Sequence, residues 1–426
     1  MGHPMHARRD PPSSARLVLI DSHLRGVDQH NYNFAAGVVR DAPDLGYAVQ
    51  VVVPMAADDA VVGALGARAC LSLWAGDRAM ADPWSWRIAN VVDGGGRLAE
   101  DLAALDGPAA IVGALVMLPT ASAQEMFALA TAVRRTRRPP AAVVLGFHHV
   151  RAGEQGVSQS MQLLGLLRYA MNLLRMVVPP DRILVTATTE RLARTLGGLL
   201  EHPVRHYPHP IWYDLAAAEP DRHGPPPDGR PTIAVLGSSR ADKGARMLGD
   251  IARHAADLAD RARLLVQLMP RFGLRAGATL ENGLVGNPLV AIRSGVLPEP
   301  ALLHHVQTAA ALLLPYEPAE YVDRASGIFA LGAAAGCPLV VPAGTWMAEQ
   351  LEKGAAAGIT VPIHAPFAYA TAIRQVLERQ HELQAAARQR AAAWRRDECG
   401  QQYLARMGPD LQRARAVRPA AAAPPV

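Results

Sequence analysis

The residues best suited to chemistry lie in LGSSRADKG, positions 236–244. Gly237 and Gly244 let the backbone approach a ligand closely. Arg240 and Lys243, with Ser239 beside them, place two cations where a strand passes into a helix. The first amides of a helix and its dipole favour an anion. A clamp for a diphosphate and an ordinary strand-to-helix turn with solvated cations both fit this spacing. Lysine usage favours the clamp. Of 43 basic residues only Lys243 and Lys353 are lysine. Where arginine serves for nearly every cation, a retained lysine points to a need for a compact, three-donor ammonium.

A second chemical stretch is YEPAEYVDRASGIFALGAAAGCPLVVPAGTWM, 316–347. A strand ends at Tyr316, and a loop with Glu317, Glu320 and Asp323 follows. Ser326 and Gly327 then open a helix whose small residues allow close packing. With Arg324 ahead of it, that helix N-terminus is a second anion site by type, or a structural helix with a serine cap. His148 and His149 end the apolar run AAVVLGFHHV, 141–150, and no partner spacing suggests a metal. The polar loop DSHLRGVDQHNYN, 21–33, collects His23, Arg25, Gly26, Asp28 and His30. It suits contact with an acceptor or a phosphate, or simple solvation. Trp74, Trp84 and Trp86 could stack on sugar rings or pack beneath a loop. Gly94-Gly95-Gly96 lacks dinucleotide spacing and reads as a turn. The basic run RRTRR, 134–138, matches a helix C-terminus. Its alternative is peripheral contact with an inner membrane surface.

These residues need a scaffold, and the pattern supplies one. Strands are expected at 16–21, 47–54, 109–118, 141–150 and 182–188, with helical stretches at 32–41, 123–133, 161–174 and 190–200. Four prolines and two glycines in 216–230 mark a linker. The alternation restarts with strands at 231–237, 262–269, 289–295, 310–316, 338–344 and 358–362. Helices are expected at 245–258, 300–310, 326–335, 345–353 and 366–396. Apolar strands alternating with helices imply parallel sheets covered on both faces. The domains expected are 16–215 and 231–396, with a disordered 1–15 and a helix end and disordered tail over 397–426.

Composition excludes several classes. The 426 residues are 50% apolar and 19% charged, which is not a disordered composition. Three cysteines, Cys70, Cys337 and Cys399, form neither a disulfide framework nor a zinc motif. The polar N-terminus has no apolar signal segment, so a cytoplasmic location is expected. A net charge of +5 suits an anionic small ligand and does not call for nucleic acid.

The two motifs together resemble the carboxyl-terminal domain of retaining, nucleotide-sugar-dependent glycosyltransferases of the GT-B fold. The shared features are strand–GxxRxxKG–helix and, about 80 residues on, strand–acidic loop–SG–helix–GxPLVVP and then GTW. The resemblance implies α/β architecture, with two Rossmann-like doubly wound domains facing a central cleft. It implies a donor site in which Lys243 and Arg240 hold the diphosphate. Gly237, Ser239, Gly244, Glu320, Ser326, Gly327 and Ile328 would complete it. His148 and Asp323 would act on the donor sugar. It implies transfer with retention, no metal and no cofactor beyond the nucleotide-diphosphate sugar co-substrate. The partners would be that donor and a sugar-bearing acceptor, as in polysaccharide biosynthesis. One position departs: Leu331 stands where the family usually has the carboxylate that binds the ribose. A catalytically degenerate binding or scaffold subunit, or a nucleotide-sugar epimerase, would share the scaffold.

Overall fold

The computed structural model describes residues 15–27, 30–72, 90–148, 157–209, 211–212, 214–221, 228–269 and 283–416. Trp74, Trp84, Trp86, His149, Asp28 and the segments 1–14 and 417–426 lie outside them. By packing, the chain divides into two compact units. One comprises Met1–Gly146, Met161–Val185 and Met407–Val426, and the other Phe147–Ser160 and Thr186–Arg406.

Among the described residues there are two sheets. The first takes β1 Ala15–Ile20, β2 Tyr47–Pro54, β3 Arg68–Leu71, β4 Leu115–Leu118, β5 Ala142–Phe147, β6 Ile183–Ala187 and β7 Val204–His206, in the order β3-β2-β1-β4-β5-β6-β7. The second takes β8 Thr232–Val235, β9 Arg263–Leu268, β10 Val290–Ser294, β11 Ala311–Leu313, β12 Leu339–Pro342 and β13 Gly358–Val361, in the order β10-β9-β8-β11-β12-β13. The pairings are parallel, with Leu17 opposite Val49 and Leu115, and Ile233 opposite Leu264 and Ala311. Both are parallel α/β sheets of the doubly wound kind expected, and 216–230 falls between the last strand of one sheet and the first of the other.

Side-chain alternation explains why both faces are covered. On β8, Ile233 and Val235 enter one core with Leu264, Val266, Val340 and Tyr369. Ala234 and Leu236 enter another with Leu312, Phe329, Val341 and Trp346. The helix Gly327–Ala335 lies on that second core. Its Phe329 packs edge-on between Trp346 and Trp394, with ring centroids 5.3 and 5.7 Å away.

Several elements differ from expectation. The strand expected over 109–118 is confined to β4, because Gly107–Ala109 forms a 3-10 turn and Gly113 has φ +68°. Gly94–Gly96 is not a turn. A π-helical turn Asn90–Gly94 leads into a helix Gly95–Ala103, where a Cβ on Gly95 would meet Phe127 at 2.8 Å. The helix expected over 245–258 is a 3-10 turn Ala245–Met247, a short helix Leu248–His254 and another 3-10 turn. The stretch 366–396 divides into Pro366–Glu378 and Gln380–Asp397, and a further helix runs Gly400–Ala416. Edge strands β3 and β7 have no apolar run to announce them. No helix among the described residues is long and apolar enough to cross a membrane.

Phe329→Ala should cost about 4 kcal/mol, since the cavity would lie between two indole rings in a closed core. Urea denaturation of the variant against the parent protein measures it.

Candidate functional sites at the two sheet switch points

In each sheet the winding direction reverses between two neighbouring strands, β1 and β4 in the first and β8 and β11 in the second. Loops at the carboxyl ends of such strands form the usual ligand crevice of this architecture. Both loop pairs carry dense polar clusters.

In the second unit the loop after β8 contains Gly237–Gly244. Gly237 has φ +95°, and its N–H donates to Gln267 Oε1 at 2.8 Å. Gln267 is a buried amide within the apolar strand LLVQL, and its other end donates to the Gly295 carbonyl. Ser239, expected to touch a ligand, has its hydroxyl occupied. It donates to the Gln267 carbonyl and accepts from the Met269 amide, both at 3.0 Å. Its work is to pin the loop to β9. Gly244 has φ +75°, and a Cβ there would run into the Pro315 carbonyl after β11. Only glycine lets the two loops touch.

The loop after β11 completes the cluster. Arg240 and Arg324 both donate to Asp242 Oδ2, at 2.8 and 3.1 Å. Tyr321 lies against them, its ring 4.9 Å from the Arg324 guanidinium carbon. Lys243 is partly buried, with Nζ 5.5 Å above the centre of the Tyr316 ring. The ideal Cβ position of Gly237 is 3.5 Å from that Nζ and 3.2 Å from Ile328 Cγ1. Gly237, Lys243 and Ile328, expected together, do meet. Burial, then the Arg240 and Arg324 charges, push the Lys243 ammonium down to about 7, against the opposing pull of Asp242. The Tyr316 hydroxyl and Arg240 Nε are buried without a hydrogen-bond partner among the described residues. Burial raises the Tyr316 phenol, so it stays a neutral donor.

Ser326 caps the helix Gly327–Ala335, accepting from the Phe329 amide at 3.2 Å. The Gly327 and Ile328 amides ahead of it have no acceptor among the described residues. Two donors thus stand at the helix end beside Lys243. Leu331 is buried in the apolar core beneath. Glu320 lies in the short helix Pro318–Tyr321, partly exposed. The Asp323 carboxyl is raised by burial, and its carbonyl accepts from Thr189 Oγ1 at 2.6 Å. His148 follows β5, partly buried, its ring 5.9 Å from that of His209 in the YPHPI segment. The His148 carbonyl is reached by Thr188 Oγ1 at 3.5 Å. His148 and Asp323 are therefore tied to one turn, Thr188-Thr189, from either side. Asp242, Gln267, Tyr316 and Tyr321 were not among the residues expected. A lone glutamine in an apolar strand was the one sequence signal for any of them.

The first unit presents the opposite charge. Asp21 follows β1, buried, and accepts from both the His23 amide and Asn31 Nδ2. Glu125, buried in the helix Ala123–Thr136 after β4, accepts from the Ser22 hydroxyl at 2.5 Å and also from Ser122. Between them stands His23, its Nδ1 3.3 Å from Ser22 Oγ, 4.0 Å from Asp21 and 3.9 Å from Glu125. Gly26 is buried and Arg25 exposed. Two buried carboxylates make the floor of this loop unfavourable for a phosphate. Hydroxyl or cationic groups fit it better.

No family model and no curated protein matches the chain. Solved structures do match. A sucrose-phosphate synthase from Thermosynechococcus elongatus is 13% identical, covering 95% of this chain and 100% of that one, with a TM-score of 0.63. HepE from Anabaena, solved with UDP-glucose, is 13% identical over 94% and 100%, TM-score 0.62. A UDP-forming α,α-trehalose-phosphate synthase from Burkholderia xenovorans is 13% identical over 94% and 99%, TM-score 0.65. The chain has the GT-B fold. The resemblance read from its motifs is thus matched in three dimensions across nearly its whole length.

Burial lifts the Asp21 carboxyl above its ordinary range, with the His23 charge the largest opposing influence. A raised folded-state value means this group favours the fold at acidic pH and loses that contribution as pH rises through it. Asn31→Ala would strip the carboxylate of its side-chain donor. The variant should lose about 2 kcal/mol at neutral pH and less in acid, where the carboxyl is protonated. Denaturant titrations at the two pH values test this.

Proposed function

We propose that the chain is a glycosyltransferase that moves a sugar from a nucleotide-diphosphate sugar to a hydroxyl of a glycan, lipid-linked or small-molecule acceptor. The observation that carries this reading is the basic cluster at the second switch point. Lys243, Arg240, Arg324 and two helix amides converge where the fold binds ligands. HepE, solved with UDP-glucose, with UDP and with UDP and glucose, supports a uridine donor as the first to test.

The chemistry follows from charge. When the bond from the anomeric carbon to the β-phosphate oxygen breaks, negative charge grows on that phosphate. Cations and amides fixed in advance stabilise it more in the transition state than in the ground state. Side-chain cations fill the role a metal would otherwise take. His148 and Asp323 position the donor sugar. In the retaining course the acceptor oxygen attacks the face the phosphate leaves, and the departing phosphate takes the acceptor proton. Activity at a cytoplasmic face, in polysaccharide biosynthesis, belongs to the same reading.

One observation favours a second course, with inversion. Ser22 Oγ donates its hydrogen bond to Glu125, so its lone pair is left to accept from His23 Nδ1–H. In the neutral tautomer that this hydrogen bond selects, His23 Nε2 is the base that would take the acceptor proton during attack from the opposite face. The anomeric configuration of the product decides between the two.

UDP-, GDP-, ADP- and dTDP-sugars should be screened for binding by thermal shift and for turnover with sugar acceptors. One donor should bind and release its nucleoside diphosphate only when an acceptor is present. Arg240→Ala should weaken that binding by about tenfold, in line with loss of a charge-assisted hydrogen bond. Turnover without acceptor would indicate an epimerase. A folded protein that binds none of them would indicate a scaffold subunit.

A further inference from the structure

The cluster around Lys243 has an unbalanced charge. Three basic side chains, Arg240, Lys243 and Arg324, share one carboxylate, Asp242. Both guanidiniums hold its Oδ2, and Lys243 has no ion-pair partner among the described residues. The other groups facing the cluster are the neutral phenols Tyr316 and Tyr321 and the apolar Ile328. Glu317 turns its carboxylate to His364, at 3.5 Å. Arginine does not give up its proton in a protein, whereas a desolvated lysine does. The surplus charge can therefore be shed at one place, Lys243 Nζ.

Resting on the donor-site reading above, we propose that Lys243 stands as a neutral amine in the empty site, and that an entering dianion brings one proton onto it. Partial burial and the two neighbouring guanidiniums disfavour the ammonium, against the attraction of the Tyr316 ring face for a cation. A diphosphate at the same place cancels their repulsion and supplies the missing counter-charge. The direction in which burial and these charges move the lysine agrees. The site is then a proton-coupled anion receptor. It holds a nucleoside diphosphate more tightly as pH falls towards neutrality and more loosely above it.

The chain is well made for the test, because it has only two lysines. Lys353 is exposed and paired with Glu190, and serves as the internal standard. Protein carrying ¹⁵N at lysine Nζ gives two side-chain signals, and Lys243→Met identifies one of them. In the free protein the Lys243 signal should titrate near neutrality, well below Lys353. Adding UDP-glucose, or separately sulfate, should return it to the ammonium form at mildly alkaline pH. The dissociation constant for UDP-glucose should rise about tenfold per pH unit above the transition, the slope of a single linked proton. In Lys243→Arg it should stay flat. A Lys243 signal that titrates alongside Lys353, or that neither anion moves, overturns the proposal. Recharging by sulfate without binding of UDP-glucose would uphold the proton coupling and sink the sugar-donor reading.

Discussion

A single carboxylate, Asp242, organises the basic chemistry of the second unit. Arg240 and Arg324 come from loops about 80 residues apart in sequence, and like charges brought together repel. Asp242 Oδ2 accepts from both, and the Asp242 carbonyl accepts from the Glu317 amide at 3.0 Å. One residue thus fastens the turn after β8 to the loop after β11 by side chain and by main chain. The compensation is deliberately incomplete in its effect: two guanidiniums are satisfied and the lysine is not. An exposed version of the same cluster would be screened by water and would keep every cation charged. Partial burial weakens that screening and makes the count of charges a property of the site.

Topology decides where such clusters arise. β1 and β4, like β8 and β11, are parallel neighbours whose connections leave in opposite directions. Their carboxyl-end loops therefore meet each other. The first unit uses this meeting place for Asp21 and Glu125, and the second for Arg240, Lys243 and Arg324. The backbone plan is the same and the charge is opposite. The fold supplies the crevice, and the side chains grafted onto it determine what enters.

The alternation of apolar runs was enough to place the two parallel sheets, because a strand buried on both faces must be apolar along its length. β2 and the helix Glu190–Leu200 fall where the pattern puts them. Edge strands β3 and β7 escaped, since they are half exposed and owe their state to a neighbour's hydrogen bonds rather than to their own composition. The triple glycine at Gly94–Gly96 misled for a related reason. It is helical despite its low propensity, and Gly95 lies so close to Phe127 that a Cβ there would clash. Within the site, Lys243, Gly237, Gly244 and Ile328 were legible because glycine and a rare lysine carry local geometric meaning. Asp242 and Tyr316 were not, because their roles are long-range. An aspartate in a turn reads as solvated until a second arginine arrives from another loop. The Ser239 hydroxyl is the converse case: its position alone suggests a ligand contact, while its bonds to β9 show a structural role that the sequence did not announce.

The choice of lysine at 243 is the point where composition and structure meet. A chain that writes 41 of its 43 cations as arginine has no shortage of permanent positive charge. Arginine at this place would put three fixed charges around Asp242, and the empty loop would have to hold them apart. Lysine lets the loop close over an uncharged group and become fully cationic only when a ligand shares the charge. The left-handed turn at Gly244, which brings the Pro315 carbonyl against the backbone, is what makes that closure tight. Geometry that forbids any side chain at 244 and a charge that can be set aside at 243 are therefore one design.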